Sequence, residues 1–338
     1  MDHDLTYVLP IRSATSQADG ELTVYLARIA GHAEVIVVDG SPAEVFAKHA
    51  GAWGSIVRHV PPAPDLATPM GKVGGVLTGL RLASNERVII ADDDVRYDEC
   101  ALRRVAEALV DADVVRPQNY FSPLPWHARL DSGRMLLNRL AGGDWPGTLG
   151  VRRSVLRATN GYDGGAMFEN LELVRTVQAA GGREVLLLDA YVERRPSTSR
   201  HFLSQRVRQA YDEIARPGRL AFQLAWGPGL VLITASYGWR GLVLAALLVV
   251  MLAEAGRRRM GAKRHFPASA ALLAPVWVVE RAVCSWLAIL SLLLLGGVRY
   301  RGVVLRTAAT PVRTLRARHA HLRPSSAPPP AALPRRSA

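Results

Sequence analysis

The chain has 338 residues, 49% of them hydrophobic and 21% charged, with a net charge of +13. That length allows one large domain with an appendage. Only two cysteines occur, Cys100 and Cys284, which excludes a disulfide framework or a thiolate metal cluster.

The charge is unevenly placed. Residues 1–200 hold 22 Lys and Arg against 25 Asp and Glu, and residues 201–338 hold 20 against 4. The basic half is also the apolar half, with long hydrophobic stretches at 220–236, 241–255 and 268–297. Arginines flanking runs of nearly membrane-spanning length point to positive-inside anchoring rather than to nucleic-acid binding. The first ten residues carry acids and too short an apolar core for a cleavable signal peptide. The expectation is a multi-pass or hairpin-anchored protein of the cell membrane, with its soluble domain in the cytoplasm. The expected divisions are 1–215, a soluble α/β domain; 216–302, membrane helices; and 303–338, a basic Pro/Ala-rich tail, disordered from about Arg313.

In chain order, Tyr7–Ile11 reads as a first strand, 21–29 as a crossover helix, and Glu34–Val38 as a second strand ending at Asp39-Gly40-Ser41. A proline-rich loop leads to a helix over 71–84 and then to Val88-Ile89-Ile90-Ala91, an apolar run that ends in Asp92-Asp93-Asp94. A further strand is expected at 113–116. The segment bearing Tyr120, Phe121, Trp126 and Trp145 shows no clear period, and Tyr120, Phe121 and Trp126 are candidates to line a ligand channel. A helix over 168–180, stopped by Gly181-Gly182, precedes a strand at 184–188 and a helix at 201–215. Alternating strands and helices argue for a mostly parallel, Rossmann-like sheet with flanking helices. Ligands of such sheets bind beyond the carboxyl ends of the strands, where Asp39 and Asp92–Asp94 both fall.

Three adjacent carboxylates repel one another, so they call for a counter-charge or for open solvent. Mn²⁺ or Mg²⁺ supplies that charge and prefers carboxylate and phosphate oxygens. Asp39 can accept from a nucleotide or cap the following helix. Lys72, at a helix start, can meet a phosphate. Arg208 can grip a diphosphate with its fork geometry or anchor the chain at lipid headgroups.

These motifs together resemble the family 2 glycosyltransferases of GT-A fold, in their membrane-anchored, ceramide-glucosyltransferase-like branch. The match runs through Tyr7-Val8-Leu9-Pro10, Val37-Val38-Asp39, Gly71-Lys72, Asp92-Asp93-Asp94 and Gln205-Arg206-Val207-Arg208-Gln209. The resemblance implies an inverting, metal-dependent transfer from a nucleotide sugar, UDP-linked by preference, to a lipid or membrane-bound acceptor. It implies Asp92 and Asp94 at the metal. Pro10, Asp39, Lys72, Asp92, Asp93 and Gln205 would hold the donor, and Arg208 would stand at the leaving group. The family's catalytic Asp falls on Asn170, and an amide cannot act as a base. Glu169 or Glu172, three apart on one helix, would have to serve, and Glu169 is preferred. Two rivals are a decayed membrane scaffold, suggested by Asn170 and by Gln209 in place of the family's Trp, and an all-helical prenyl-diphosphate enzyme.

Overall fold

The computed structural model describes residues 4–300 and 303–322. The chain begins with β1 (Leu5–Ile11), α1 (Glu21–Ala30), β2 (Glu34–Asp39), α2 (Ala43–Trp53) and β3 (Arg58–Val60). Next come α3 (Gly71–Leu82), β4 (Arg87–Ala91), the short β5 (Val95–Arg96) and α4 (Glu99–Ala108). The segment without a clear period folds as the end of β6 (Val114–Phe121), α5 (Trp126–Asn138) and β7 (Thr148–Arg152), with α6 (Arg153–Ala158) following. The domain closes with α7 (Glu169–Ala179), β8 (Glu184–Arg194) and α8 (Ser199–Tyr211).

The eight strands form one sheet in the order β3-β2-β1-β4-β7-β6-β8-β5. The β3-β2-β1-β4 half is parallel throughout, so the ends of β1, β2 and β4 reach one rim. β7 enters antiparallel to both β4 and β6, and β5 pairs antiparallel with β8. Alternation along the strands feeds two cores: Tyr7, Leu9, Val37, Ile89 and Ala91 face one, and Val8, Ile36, Val38, Val88 and Ile90 face the other. Because β4 is a strand, an all-helical diphosphate fold is excluded.

Beyond the domain run α9 (Pro217–Arg258), α10 (Ala268–Leu272) and α11 (Ala274–Leu295). Pro228 lies within α9, and the helix is interrupted at Gly238 (φ 60°, ψ −154°). A Cβ on Gly241 would stand 2.7 Å from Ile233 Cγ2, so the chain bends sharply there. Leu232, Leu244, Leu247, Met251, Val283, Leu290 and Leu293 all face outward. α9 and α11 are long and apolar enough to cross a membrane. Their inner faces pack on α5 through Met135, Leu136, Ala253, Phe266 and Trp277.

The expected disordered tail is corrected as far as residue 322. β9 (Val298–Tyr300) and β10 (Val303–Leu305) form a hairpin, and α12 (Val312–Arg318) follows. Between them the chain returns to the domain. Thr307 and Ala308 carbonyls accept from the Met167 and Phe168 N–H groups at 2.9 and 2.8 Å. The rest of that tail lies outside the described residues.

Candidate active site

Close helix–sheet packing builds the rim. A Cβ on Gly75 would stand 2.9 Å from Pro10 Cβ, and one on Gly79 would clash with Val8, so these glycines let α3 settle onto β1. That contact carries Lys72, at the start of α3, to the tip of β4. On the other side the Asp92 N–H donates to the Gly147 carbonyl at 2.8 Å. A Cβ at Gly147 would meet Asp92 Oδ2 at 2.6 Å. The carboxylate is thus fixed by backbone on one side and by Lys72 on the other.

Lys72 Nζ stands 2.5 Å from Asp92 Oδ1 and 2.7 Å from Glu169 Oε1. Burial favours the neutral amine, but the two carboxylates outweigh it and hold Lys72 charged well beyond its usual range. Burial likewise works to raise Asp92, and Lys72 and Arg194 override it, so its pKa is lowered. Arg194, at the end of β8, bonds Asp94 Oδ2 at 2.9 Å and Asp92 Oδ2 at 3.3 Å. Asp94 remains raised, chiefly by burial, and its Oδ1 is buried without a partner. Burial and the adjacent Asp94 and Asp92 charges push Asp93 up to about 6. A carboxylate cluster with one orphaned oxygen and two raised members suits a hard divalent cation.

Three cavities meet at Asp92. One, about 320 Å³, runs along the strand ends past Pro10, Arg12, Gly40, Pro62, Lys72 and Asp93. The second, about 620 Å³, spans Asp92–Asp94, Lys72, Glu169, Gln205 and Arg208 and reaches Ser291 and Leu295 of α11. The third, about 190 Å³, lies beyond Glu169 and Asn170 and is walled by Trp145, Arg194, Arg208, Asp212, Arg216 and Arg281. Pro10, Lys72, Asp92, Asp93, Asp94, Glu169, Gln205 and Arg208 therefore share one continuous cleft. Gln205 Oε1 accepts from Arg208 Nε at 2.5 Å, so the two side chains are set as a pair.

Two expected site residues do not line it. Asp39 is 1% exposed. Its Oδ2 bonds His49 Nδ1 at 2.7 Å and His59 Nε2 at 3.1 Å, and its Oδ1 accepts from the Ser41 N–H. Burial opposes its charge, but the hydrogen bonds from His59, Ser41 and His49 hold it far below the carboxylate range. Asp39, His49 and His59 have the spacing of a metal triad. However, His49 Nε2 already accepts from the Gln17 N–H at 2.9 Å, so both its ring nitrogens are committed. The group is a hydrogen-bonded brace under the rim. Glu172 is fully buried, and its Oε2 accepts from the Thr310 N–H at 2.6 Å. Burial raises its pKa, but no acceptor can reach it, leaving Glu169 as the expected base at the cleft.

The aromatic expectations also shift. Tyr120 packs on His265, Trp126 is exposed, and neither they nor Phe121 line the three cavities, whereas Trp145 does. The sequence reading missed Arg194, Asp212, Arg216 and Arg281. Asp212 follows α8 directly, and burial pushes its carboxyl up to about 7. Burial also pushes Arg216 down to about 10. The only sequence signal for these residues was charge adjoining an apolar or strand segment.

No family model matches the chain, and no curated protein matches it in sequence. Its structure is similar to that of mannosyltransferase PcManGT from Pyrobaculum calidifontis in complex with GDP-Man and Mn²⁺. That match has 15% identity and a TM-score of 0.52, and it covers 86% of this chain and 87% of that one. M. tuberculosis glucosyl-3-phosphoglycerate synthase and S. aureus TarS in complex with UDP-GlcNAc overlap less, with TM-scores of 0.40 and 0.39 at 16% identity. They cover 58% and 60% of this chain and 73% and 61% of their own. The chain therefore has a GT-A fold, with flanking helices and two long apolar helices on its C-terminal side.

Proposed function

We propose that the protein is a metal-dependent, inverting glycosyltransferase of the family 2 type, moving a sugar from a nucleotide sugar to a lipid or membrane-bound acceptor. The observation that carries this reading is the meeting of three cavities at Asp92, with Lys72, Asp94 and Arg208 around the junction. The cavity along the β1, β2 and β4 ends suits a nucleoside, with Pro10, Lys72 and Asp93 in its wall. The wide central one suits the diphosphate and sugar, and the one past Glu169 suits the acceptor. A cation held by Asp92 and Asp94 would neutralise charge on the leaving diphosphate. Arg208, oriented by Gln205, supplies a fork-shaped donor to the same group. With an acceptor hydroxyl, Glu169 takes the proton during attack.

The outward apolar faces of α9 and α11 support seating in the cell membrane, with the domain on the cytoplasmic side as the basic flanks favour. Incubation of the detergent-purified protein with Mn²⁺, labelled UDP-sugars and other nucleotide sugars, and membrane lipids tests the reading. The expected result is a metal-dependent glycolipid product. Failure to consume any donor, with or without lipid, would end the proposal.

A further inference from the structure

Arg194 reaches the aspartate cluster by strand register. β5, which begins at Val95 just past Asp94, pairs antiparallel with the end of β8, so Val95 lies opposite Arg194 and Arg96 opposite Glu193. The backbone there is tied on both sides. The Arg194 carbonyl accepts from the Ser122 N–H at 3.1 Å, and the Arg195 N–H donates to the Asp94 carbonyl at 2.7 Å. A Cβ on Gly147 would stand 3.1 Å from Arg194 Cζ and 3.2 Å from its Nη1, so the glycine leaves the guanidinium its seat. Of the four oxygens on Asp92 and Asp94, three already face a protein cation. Asp92 Oδ1 stands 2.5 Å from Lys72 Nζ, Asp92 Oδ2 stands 3.3 Å from Arg194 Nη2, and Asp94 Oδ2 stands 2.9 Å from Arg194 Nε. The fourth, Asp94 Oδ1, is buried without a hydrogen-bond partner. Arginine does not give up its charge near neutral pH, so it yields these oxygens only by moving. A divalent ion that approaches alone therefore meets a fixed like charge and finds one uncommitted oxygen.

We propose that Arg194 is a resident counter-cation that makes the cleft take its divalent ion together with the nucleoside diphosphate rather than by itself; the proposal rests on the glycosyltransferase reading and adds how the metal site is filled. Arg194 borders both the wide central cavity and the one beyond Glu169. A diphosphate in the central cavity supplies the ion with further oxygens. It also offers the guanidinium a second pair of anionic oxygens in matching fork geometry. Arg194 can then release Asp92 Oδ2 and Asp94 Oδ2 without stranding its own charge. Ion and diphosphate thus reinforce one another, and by linkage each tightens the other by the same factor. The guanidinium is a positioning group: it holds the two carboxylates at the strand tip and sets when they become available.

The test measures Mn²⁺ binding by the full chain in detergent, from the loss of the free-ion electron paramagnetic resonance signal, without nucleotide and with UDP or GDP. Wild type should bind Mn²⁺ weakly alone and about tenfold or more tightly with whichever nucleoside diphosphate it takes. Arg194→Gln should tighten nucleotide-free Mn²⁺ binding by about tenfold, and the nucleotide should then add correspondingly less. Arg194→Lys, which keeps a charge at that place, should stay near wild type. Thermal melting gives a second readout: Mn²⁺ alone should raise the Tm of Arg194→Gln and barely move that of wild type. Unchanged or weaker Mn²⁺ binding by folded Arg194→Gln would overturn the proposal. So would equal tightening in Arg194→Lys, because the charge would then not be what weakens the ion. Misfolding of Arg194→Gln that Mn²⁺ does not rescue would show a structural role only. Tight Mn²⁺ binding by wild type that ignores nucleotide sinks the proposal and leaves the transferase reading standing. Failure to bind any nucleoside diphosphate, with or without Mn²⁺, would end that reading and this proposal with it.

Discussion

Lys72 and Glu169, 97 residues apart in sequence, are joined by a 2.7 Å ion pair that spans the cleft from the first turn of α3 to the first turn of α7. The same ammonium bonds Asp92. One side chain therefore sets the spacing between the expected metal ligand and the acceptor-side acid. Lys72→Ala leaves Asp92 and Glu169 facing each other without the ammonium between them, with Arg194 still on Asp92 Oδ2. Transfer should fall by about 10²-fold, the scale of losing one preorganised electrostatic partner. Steady-state kinetics across a donor titration would check this, and wild-type kcat in the variant would refute it.

Asp94 bonds Arg194 through one oxygen and leaves the other without a partner. Asp94→Ala should cut metal-stimulated turnover by about 10²–10³-fold while the circular dichroism spectrum and melting temperature stay near wild type. EDTA should silence the wild type to the same extent and barely change the variant.

Asp39→Asn separates the two readings of that residue. As a brace accepting from two histidines and Ser41, its loss should cost about 1–3 kcal/mol of stability and leave the donor KM within a few-fold. Chemical denaturation with parallel kinetics decides the matter. A raised donor KM at unchanged stability would restore Asp39 as a nucleotide contact.

Glu172→Ala and Glu169→Gln should fail in different ways. The first removes the Thr310 contact and should destabilise the fold by about 1–3 kcal/mol, with turnover per folded molecule retained. The second leaves the melting temperature alone and disturbs transfer through Lys72. Measuring both quantities for both variants exposes any exchange of roles.

Asp212 gives a pH dependence with a definite sign. Its folded-state pKa, pushed up to about 7, lies above the ordinary value near 4. Between those values the folded chain holds a proton that the unfolded chain releases, so this contribution is intact at low pH and is lost as pH rises through about 7. Asp212→Asn should therefore melt higher than wild type at pH 8 and close to it at pH 4.5. Parallel melting curves at both values would count against a buried, protonated Asp212.

The parts of the site that were legible in sequence follow from local pattern. Val88–Ala91 is an apolar run ending in acids, and a parallel strand can hardly deliver those acids anywhere but the rim. Lys72 follows from the glycine-rich helix that carries it. Asp39 was misread because its partners, His49 and His59, reach it from α2 and β3, and only tertiary packing brings them under the strand tip. α5 was unreadable because it buries Asp131, Ser132 and Asn138 along with its apolar residues, which erases the hydrophobic period. Arg281 lies within the apolar stretch 268–297. Its place beside Arg216 in the third cavity comes from tertiary packing that no spacing in the chain records.

The return of residues 307–310 to the start of α7 sets the order in which the enzyme can be completed. The helix bearing Glu169 finds its last backbone partners only in a stretch made after both long apolar helices. A chain ending before residue 307 therefore lacks the backbone partners of Met167 and Phe168 and the Thr310 bond to Glu172.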